Sequence, residues 1–206
     1  MTPDATHAAF AQAAAADGVV LERQSYDWLC EQGHVGLERV AKARRDPTIV
    51  QPVIAALATL TRIYADLGGD VSVLNASREN LLLPLDLVHA STGTILEVDG
   101  AAHFTSFRLA ALHRYDADAA LGFDREGYAA LCRELGPRTD RLGGGLPAKG
   151  FGFGGQPRER AYRDALIDLA APAMGRPPVV RIAAPDGDGA AAYRRHRAVL
   201  VERFAT

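Results

Sequence analysis

Cysteine is scarce in this sequence, with only two residues, Cys30 and Cys132, among 206. Two cysteines so far apart have no metal-binding spacing and provide no disulfide framework of the kind that stabilises small secreted domains. The start of the chain also lacks the basic residues and the apolar segment of a secretory signal. We therefore predict reduced thiols and a cytoplasmic location.

Long apolar runs and a large net charge are absent as well. No run reaches the length of about 18 apolar residues that a membrane span requires, so no membrane partner is expected. A net charge of −2 and an isoelectric point near 6.3 give no general attraction to nucleic acid, so any such binding must come from local clusters. The 206 residues, 48% of them hydrophobic, allow one domain with a sizeable core.

Three acidic residues stand inside apolar segments. Glu97 and Asp99 are two residues apart in one predicted strand, so their side chains point to the same face, roughly 7 Å apart. Asp86 lies in a second predicted strand at 81–88, and residues 91–93 predict a hairpin turn between the two. Paired strands would group the three carboxylates, which repel unless a cation or a proton lies between them. The grouping predicts an oxygen-ligand site suited to Mg²⁺.

A simpler interpretation applies to Asp99 alone. Asp99-Gly100 is also an ordinary turn dipeptide, and the aspartate then only ends a strand.

The spacing of these residues resembles a known family. Asp86, ten intervening residues and then Glu97-Val98-Asp99-Gly100-x-x-His103 resemble the PD-(D/E)XK nuclease superfamily, in particular its very-short-patch-repair-like endonucleases. The words Glu-Val-Asp-Gly-x-x-His-Phe at 97–104 are also similar to the signature of the RAP domain, an RNA-associated module. The resemblance implies an α/β fold with a restriction-endonuclease-like mixed sheet, an αβββαβ core, flanked by helices.

The resemblance also implies a metal-dependent nuclease that hydrolyses phosphodiester bonds in DNA or RNA. Asp86 and Glu97, with the carbonyl of Val98, would be the ligands of Mg²⁺ or Mn²⁺. His103 would be the general base or the acid of the leaving group. Asp99 would ligate, bind a second ion or hold His103 in one tautomer, so that Asp86, Glu97, Asp99 and His103 form the catalytic set.

One departure from the family pattern leaves other functions open. The superfamily usually has a lysine two residues after the glutamate, and this chain has Asp99 there. A non-catalytic, RAP-like nucleic-acid-binding module therefore remains an alternative, as does a degenerate nuclease fold used for protein interaction. A protein partner or a homo-oligomer is compatible with each of these functions.

Hydrophobic periodicity gives the remaining elements. Together with the resemblance, which implies that the domain is nuclease-like, it predicts a helical N-terminal extension over residues 1–48 and an α/β domain over 49–206, with a Gly-rich loop at about 136–155. The predicted helices cover 4–16, 19–32, 35–45, 50–67, 105–114, 125–135, 156–171 and 190–204, and the predicted strands cover 71–74, 81–88, 94–99 and 179–183.

Basic residues close to the Gly-rich loop are candidates for nucleic-acid binding. Arg158, Arg160 and Arg163 share one predicted helix, and Lys149 lies in the loop before it. A solvated helix face and a flexible linker are the simpler alternatives for these two features. Two further clusters, at 39–45 and 194–197, are candidates of the same kind.

Overall fold

The computed structural model describes residues 3–77, 81–142 and 145–205. The described part is an α/β fold in which helices flank a four-stranded mixed sheet, as the coarse fold class predicted. Its helices are α1 (Pro3–Ala15), α2 (Gly33–Arg44), α3 (Pro47–Asp66), α4 (Val71–Ala76), α5 (Ser106–Leu112), α6 (Arg125–Thr139), α7 (Gln156–Ala173) and α8 (Gly189–Phe204), and a 3-10 turn covers Ala101–His103. Its strands are β1 (Leu21–Glu22), β2 (Leu87–His89), β3 (Ile95–Asp99) and β4 (Val180–Ala183).

The sheet has the strand order β1-β2-β3-β4. β1 and β2 are antiparallel, β2 and β3 are antiparallel, and β3 and β4 are parallel. The predicted hairpin between β2 and β3 is confirmed, with Gly93 in the left-handed region at φ +68° and its N–H donating to the carbonyl of His89 at 2.9 Å. The register places Leu87 opposite Leu96, so Asp86 and Glu97 are neighbours across the two strands.

The two faces of the sheet are covered by different layers. Leu96 and Val98 of β3 pack on one face with Phe10 of α1 and Tyr193 of α8. Ile95 packs on the other face, in the larger core that α3, α5, α6 and α7 share. Because side chains alternate along a strand, Glu97 and Asp99 point into this second, larger core.

Two predicted elements were wrong. Residues 71–74 form the helix α4, because Asp70 caps it by accepting a hydrogen bond from the N–H of Ser72 at 2.9 Å. Residues 19–32 are not a helix, since Leu21–Glu22 pairs with β2 and Cys30 forms an isolated bridge with Leu82. The strand beside β2 therefore comes from residues ahead of α3 instead of after it.

The predicted strand at 81–88 is shorter than expected. β2 begins at Leu87, so Asp86 lies immediately before the strand and not inside it. The other predicted helices and the strands at 94–99 and 179–183 are present with small changes at their ends.

The segment 1–48 is helical at α1 and α2, and it also supplies β1. Its first helix, α1, packs against the start of the last helix, α8. Thr6 Oγ1 donates to the carbonyl of Gly187, two residues before α8, at 2.7 Å. Gly189, the first residue of α8, has no room for a Cβ because the backbone of Thr6 lies against it. This close approach fixes the position of α1 and so the position of His7, which reaches Asp86.

Residues 143 and 144 of the predicted Gly-rich loop lie outside the described residues, and much of the rest of the loop belongs to helix α6 or packs on the core. α6 continues to Thr139, whose hydroxyl donates to the carbonyl of Phe104, so a tertiary contact outweighs the glycine at 136. Further along, Phe151 is 5% exposed and belongs to the core, whereas Phe153 is 80% exposed.

One described helix, α3, is long and apolar enough to cross a membrane by length and composition alone. Its Val53, Leu60 and Ile63 are buried in the larger core.

Candidate functional site

Asp86 and Glu97 form a pair of acids at the start of β2 and the middle of β3. The backbone N–H of Asp86 donates to Glu97 Oε1 at 3.2 Å, and the N–H of Val98 donates to Asp86 Oδ2 at 2.9 Å. Each carboxylate therefore lies against the backbone of the other strand. The predicted adjacency of these two acids is confirmed.

This acid pair has few direct partners of positive charge. Burial raises the pKa of Glu97 well above its usual range, and the charge of Asp86 raises it further, whereas the charge of Arg181 opposes the rise. Burial also raises the pKa of Asp86, against the opposing effect of His7. Within the described residues no arginine or lysine forms an ion pair with either carboxylate, and the only basic partner is His7, with Nε2 3.2 Å from Asp86 Oδ2. The pair is therefore deficient in positive charge.

Asp99 has a different environment, although it is only two residues further along β3. Both of its oxygens contact Nη1 of Arg181, at 2.9 and 3.0 Å, and the hydroxyl of Tyr128 donates to Oδ2 at 2.8 Å. Its side chain is fully buried. Every strong acceptor position of Asp99 is thus used inside the protein.

Arg181 connects Asp99 to a larger buried network. Its Nε donates to Asp168 Oδ1 at 2.7 Å, and Asp168 also accepts from Arg108 and from the hydroxyl of Tyr115. Nη2 of Arg181 lies 3.4 Å from Asp164 Oδ1. The charged members of this network are Asp99, Asp164 and Asp168 on one side and Arg108, Arg181 and His103 on the other.

His103 lies where the buried network reaches the surface. Its Nδ1 is 3.0 Å from Asp164 Oδ2 and 3.1 Å from Asp99 Oδ1, and its side chain is 24% exposed. Burial lowers the pKa of His103, but the carboxylates of Asp164 and Asp99 outweigh burial and raise it above its ordinary value. A protonated His103 makes three cations for three carboxylates, so the network is balanced.

Asp164 is held ionised by the same contacts. Burial raises the pKa of this carboxyl, but His103 and Arg181 outweigh the effect and hold the pKa well below its usual range. Asp164 is therefore a permanent negative charge behind His103, and it fixes the orientation of the imidazole ring.

The buried group Asp99, His103 and Asp164 could hold a metal ion, because its ligand atoms all lie within 4.8 Å of one another. An ion there would compete with Arg181 and Tyr128 for Asp99 and with the proton on His103 Nδ1. At the pair Asp86 and Glu97, an ion would compete only with the imidazole of His7 and with backbone N–H groups among the described hydrogen-bond and ion-pair partners. Val98, the third predicted ligand, lies between Glu97 and Asp99 in β3 and lines the same cleft.

A cleft of about 730 Å³ opens in front of the acid pair. Its wall includes Asp86, Glu97, His103 and Asp164, which brings the predicted catalytic residues other than Asp99 to one surface. Residues from α1, the 3-10 turn and α7 complete the wall. The cleft is large enough for an extended ligand and is far larger than a water-filled crevice.

The four predicted nucleic-acid-binding residues are divided between two places. Arg160 and Arg163 line the cleft, and their guanidinium groups donate to the carbonyls of Ala102 at 3.4 Å and Pro84 at 2.6 Å. Arg158 instead donates to the carbonyls of Phe151 and Phe153, and Lys149 pairs with Glu31 at 2.9 Å.

Sequence reasoning missed His7, Asp164 and Arg181. Arg181 could have been noticed, since it is the one charge in the apolar strand Val179 to Ala183. Asp164 and Asp168 are four residues apart on α7, which places them on one helix face, and this spacing was also a usable signal. His7 carried no local signal, because only the packing of α1 on α8 brings it to the cleft.

Comparisons with models of protein families, with curated proteins and with solved structures found no significant match.

Proposed function

We propose that this protein is a metal-dependent nuclease that hydrolyses phosphodiester bonds in DNA or RNA, with a restriction-endonuclease-like core. The observation that carries the proposal is the acid pair. Glu97 is buried and the adjacent Asp86 is partly buried, neither forms an ion pair with an arginine or lysine among the described residues, and both face the same cleft as His103, Arg160 and Arg163. Retaining such a costly arrangement indicates that a cation from solution completes it.

The donor set suits a hard divalent cation. Asp86 and Glu97 would hold Mg²⁺ or Mn²⁺, with the carbonyl of Val98 as a further oxygen donor. When bound, such an ion supplies charge stabilisation at a phosphoryl oxygen and lowers the pKa of water.

Proton transfer is assigned to His103. Its ring is oriented by Asp164 and Asp99 at Nδ1, and its partial exposure lets it meet a ligand in the cleft. The carboxylates behind it raise its pKa, so His103 is suited to protonate a leaving oxygen. Asp99 and Asp164 act as positioning residues in this scheme, because they act through their contacts with His103.

Phosphate binding is assigned to Arg160 and Arg163. Each of them donates to one backbone carbonyl and retains further N–H groups for a phosphate oxygen. Their place in the cleft wall lets a strand contact them while one of its phosphates reaches the acid pair.

A non-catalytic, RAP-like nucleic-acid-binding module is the second candidate, and Asp99 favours it. The family's usual lysine beside the reacting water is replaced by an acid that is fully used by Arg181 and Tyr128. Arg181 cannot substitute for that lysine, because its own side chain is fully buried and held by Asp99 and Asp168.

A cleavage assay separates the candidates. Purified protein is incubated with single- and double-stranded DNA and RNA in Mg²⁺, in Mn²⁺ and in EDTA, beside the Glu97→Gln variant. Glu134→Gln, at an exposed acid of α6, is the matched control. We expect metal-dependent cleavage by wild type and control, and none by Glu97→Gln. Binding of nucleic acid without cleavage in any ion would favour the binding module, and the absence of both would favour a degenerate fold used for protein interaction.

A further inference from the structure

His7 of α1 lies against the acid pair, and the proposed reaction gives it no role. Its Nε2 is 3.2 Å from Asp86 Oδ2, and its side chain, which is 13% exposed, lines the cleft together with Asp86 and Glu97. Two ligand atoms that are each about 2.1 Å from one ion, with a right angle between their bonds, are about 3.0 Å apart. The nitrogen and the oxygen therefore already have the separation of two ligands of one cation.

Each acid of the pair keeps one oxygen atom that no described group binds. Glu97 Oε1 accepts from the N–H of Asp86, and Asp86 Oδ2 accepts from the N–H of Val98. Among the described residues, no group donates a hydrogen bond to Glu97 Oε2 or to Asp86 Oδ1. Glu97 is only 5% exposed and lines the cleft. A buried carboxylate oxygen without a partner is costly, so it indicates a ligand that enters from the cleft.

The packing of α1 holds His7 beside these oxygens. Thr6, the residue before it, donates from Oγ1 to the carbonyl of Gly187 at 2.7 Å. Phe10, three residues further and so on a neighbouring part of the helix face, is fully buried, with its ring 5.5 Å from that of Tyr193. His7 lies between two anchored residues, so its imidazole loses little freedom when it binds a ligand.

The imidazole offers a kind of donor that the two acids lack. In the neutral tautomer with its proton on Nδ1, the ring presents a lone pair at Nε2, the nitrogen that faces Asp86. Among the described residues, Asp86 is the only hydrogen-bond or ion-pair partner of this ring. Mg²⁺ prefers oxygen ligands, whereas imidazole nitrogen suits first-row transition ions, with affinity rising from Mn²⁺ to Co²⁺.

We propose that His7 is the third side-chain ligand of the cation at Asp86 and Glu97, and that its nitrogen makes the site select a first-row transition ion over Mg²⁺. The bound ion would join the N-terminal helix α1 to the strands β2 and β3. The proposal rests on the proposed function only in taking Asp86 and Glu97 as metal ligands, and it requires no cleavage.

Pulsed electron paramagnetic resonance of Mn²⁺ bound to the full chain tests the nitrogen ligand directly. We expect nuclear modulation from one coordinated imidazole nitrogen, which His7→Ala removes and His103→Ala keeps. The His103→Ala control is needed because that imidazole belongs to the other group that could hold an ion. Modulation that persists in His7→Ala, or that is absent in wild type, would overturn the proposal.

Calorimetric titration with Mg²⁺, Mn²⁺ and Co²⁺ measures the selectivity. Loss of an outer partner of a metal ligand typically weakens affinity about 10- to 100-fold, so loss of a ligand itself should weaken it roughly 10-fold or more. His7→Ala should show this loss for Mn²⁺ and Co²⁺ and little change for Mg²⁺. His7→Glu replaces the nitrogen by a carboxylate oxygen and should restore binding with a preference shifted towards Mg²⁺. An equal ratio of Co²⁺ to Mg²⁺ affinity in all three proteins would contradict the proposal.

Cleavage assays separate this proposal from the proposed function. If wild type cleaves nucleic acid with a metal ion and His7→Ala binds every ion like wild type, the His7 proposal fails and the nuclease proposal stands. If the Mn²⁺ signal shows the nitrogen of His7 but no nucleic acid is cleaved with any ion, the reverse holds. A wild-type chain that binds none of the three ions would overturn both.

Discussion

Glu97 and Asp99 are two residues apart on one strand and point to the same face, yet their surroundings are opposite. Asp99 belongs to a buried network in which three carboxylates meet two guanidinium groups and one imidazole. Glu97 lies beside Asp86, and among the described residues the only ion pair that this acid pair forms is with the imidazole of His7. A balanced buried network supports the fold, whereas an unbalanced pair at a cleft is available to a ligand.

The largest effect is expected from Arg181→Met, which disrupts the balanced buried network. Removal of this guanidinium leaves Asp99 buried without its arginine partner and Asp168 with Arg108 alone, so we expect a loss of about 3–5 kcal/mol in the free energy of unfolding. Urea denaturation measures it. Arg194→Met, at an exposed arginine of α8, is the control and should change stability little. If Arg181→Met loses no more free energy of unfolding than the control, the buried network does not stabilise the fold.

His103 lies at the boundary between the two regions, so its removal sharpens the comparison. If it transfers a proton, His103→Ala should lower the rate of cleavage roughly 10²- to 10⁴-fold while the affinity for the metal ion stays near wild type. Single-turnover cleavage and Mn²⁺ calorimetry measure the two quantities. Asp164→Asn should lower the rate by a smaller factor and shift the pH profile, because it acts through His103. An unchanged rate in His103→Ala would exclude it from the reaction.

Metal binding should depend on the acid pair Asp86 and Glu97 and not on the balanced network. At a Mn²⁺ concentration 100 times the dissociation constant, the ion should stabilise the protein by about 2.7 kcal/mol, which corresponds to a rise of about 5–10 °C in melting temperature. Glu97→Gln and Asp86→Asn should abolish the rise, and Asp99→Asn should keep most of it. A rise that depends on Asp99 and not on Glu97 would move the ion to the Asp99, His103 and Asp164 group.

The basic residues of α7 allow a smaller test. Arg160→Ala and Arg163→Ala should each reduce the slope of log affinity for duplex DNA against log salt by about 0.9, since each would release one phosphate contact. Arg158→Ala should leave the slope unchanged, because its guanidinium is held by the carbonyls of Phe151 and Phe153. Equal slopes for all three variants would indicate that Arg160 and Arg163 contact solvent and not phosphate.

Features fixed by nearby residues could be predicted from the sequence. The hairpin, the adjacency of Asp86 and Glu97 and most helices follow from hydrophobic periodicity and a short turn. The restriction-endonuclease-like core, the activity and the nucleic-acid partner stay predictions.

One error has a local origin, and the other errors and omissions originate in contacts between distant residues. α4 forms where a strand was predicted because its cap at Asp70 outweighs the β-branched residues that follow. β1 exists only because β2 offers it a partner. Arg181 lies 82 residues from Asp99, and Asp164 lies 61 residues from His103, so no local pattern could have joined them.

The most direct measurement compares Glu97→Gln with Asp99→Asn by urea denaturation at pH 8 in EDTA. Glu97→Gln replaces a buried carboxyl group whose ionisation is opposed by burial and by Asp86, and it should stabilise the protein by roughly 0.5–2 kcal/mol. Asp99→Asn leaves Arg181 short of an acceptor charge and should destabilise it by about 1–3 kcal/mol. Opposite signs are the predicted result. Changes of the same sign in the two variants would contradict the division of these neighbouring acids into one that binds a ligand and one that supports the fold.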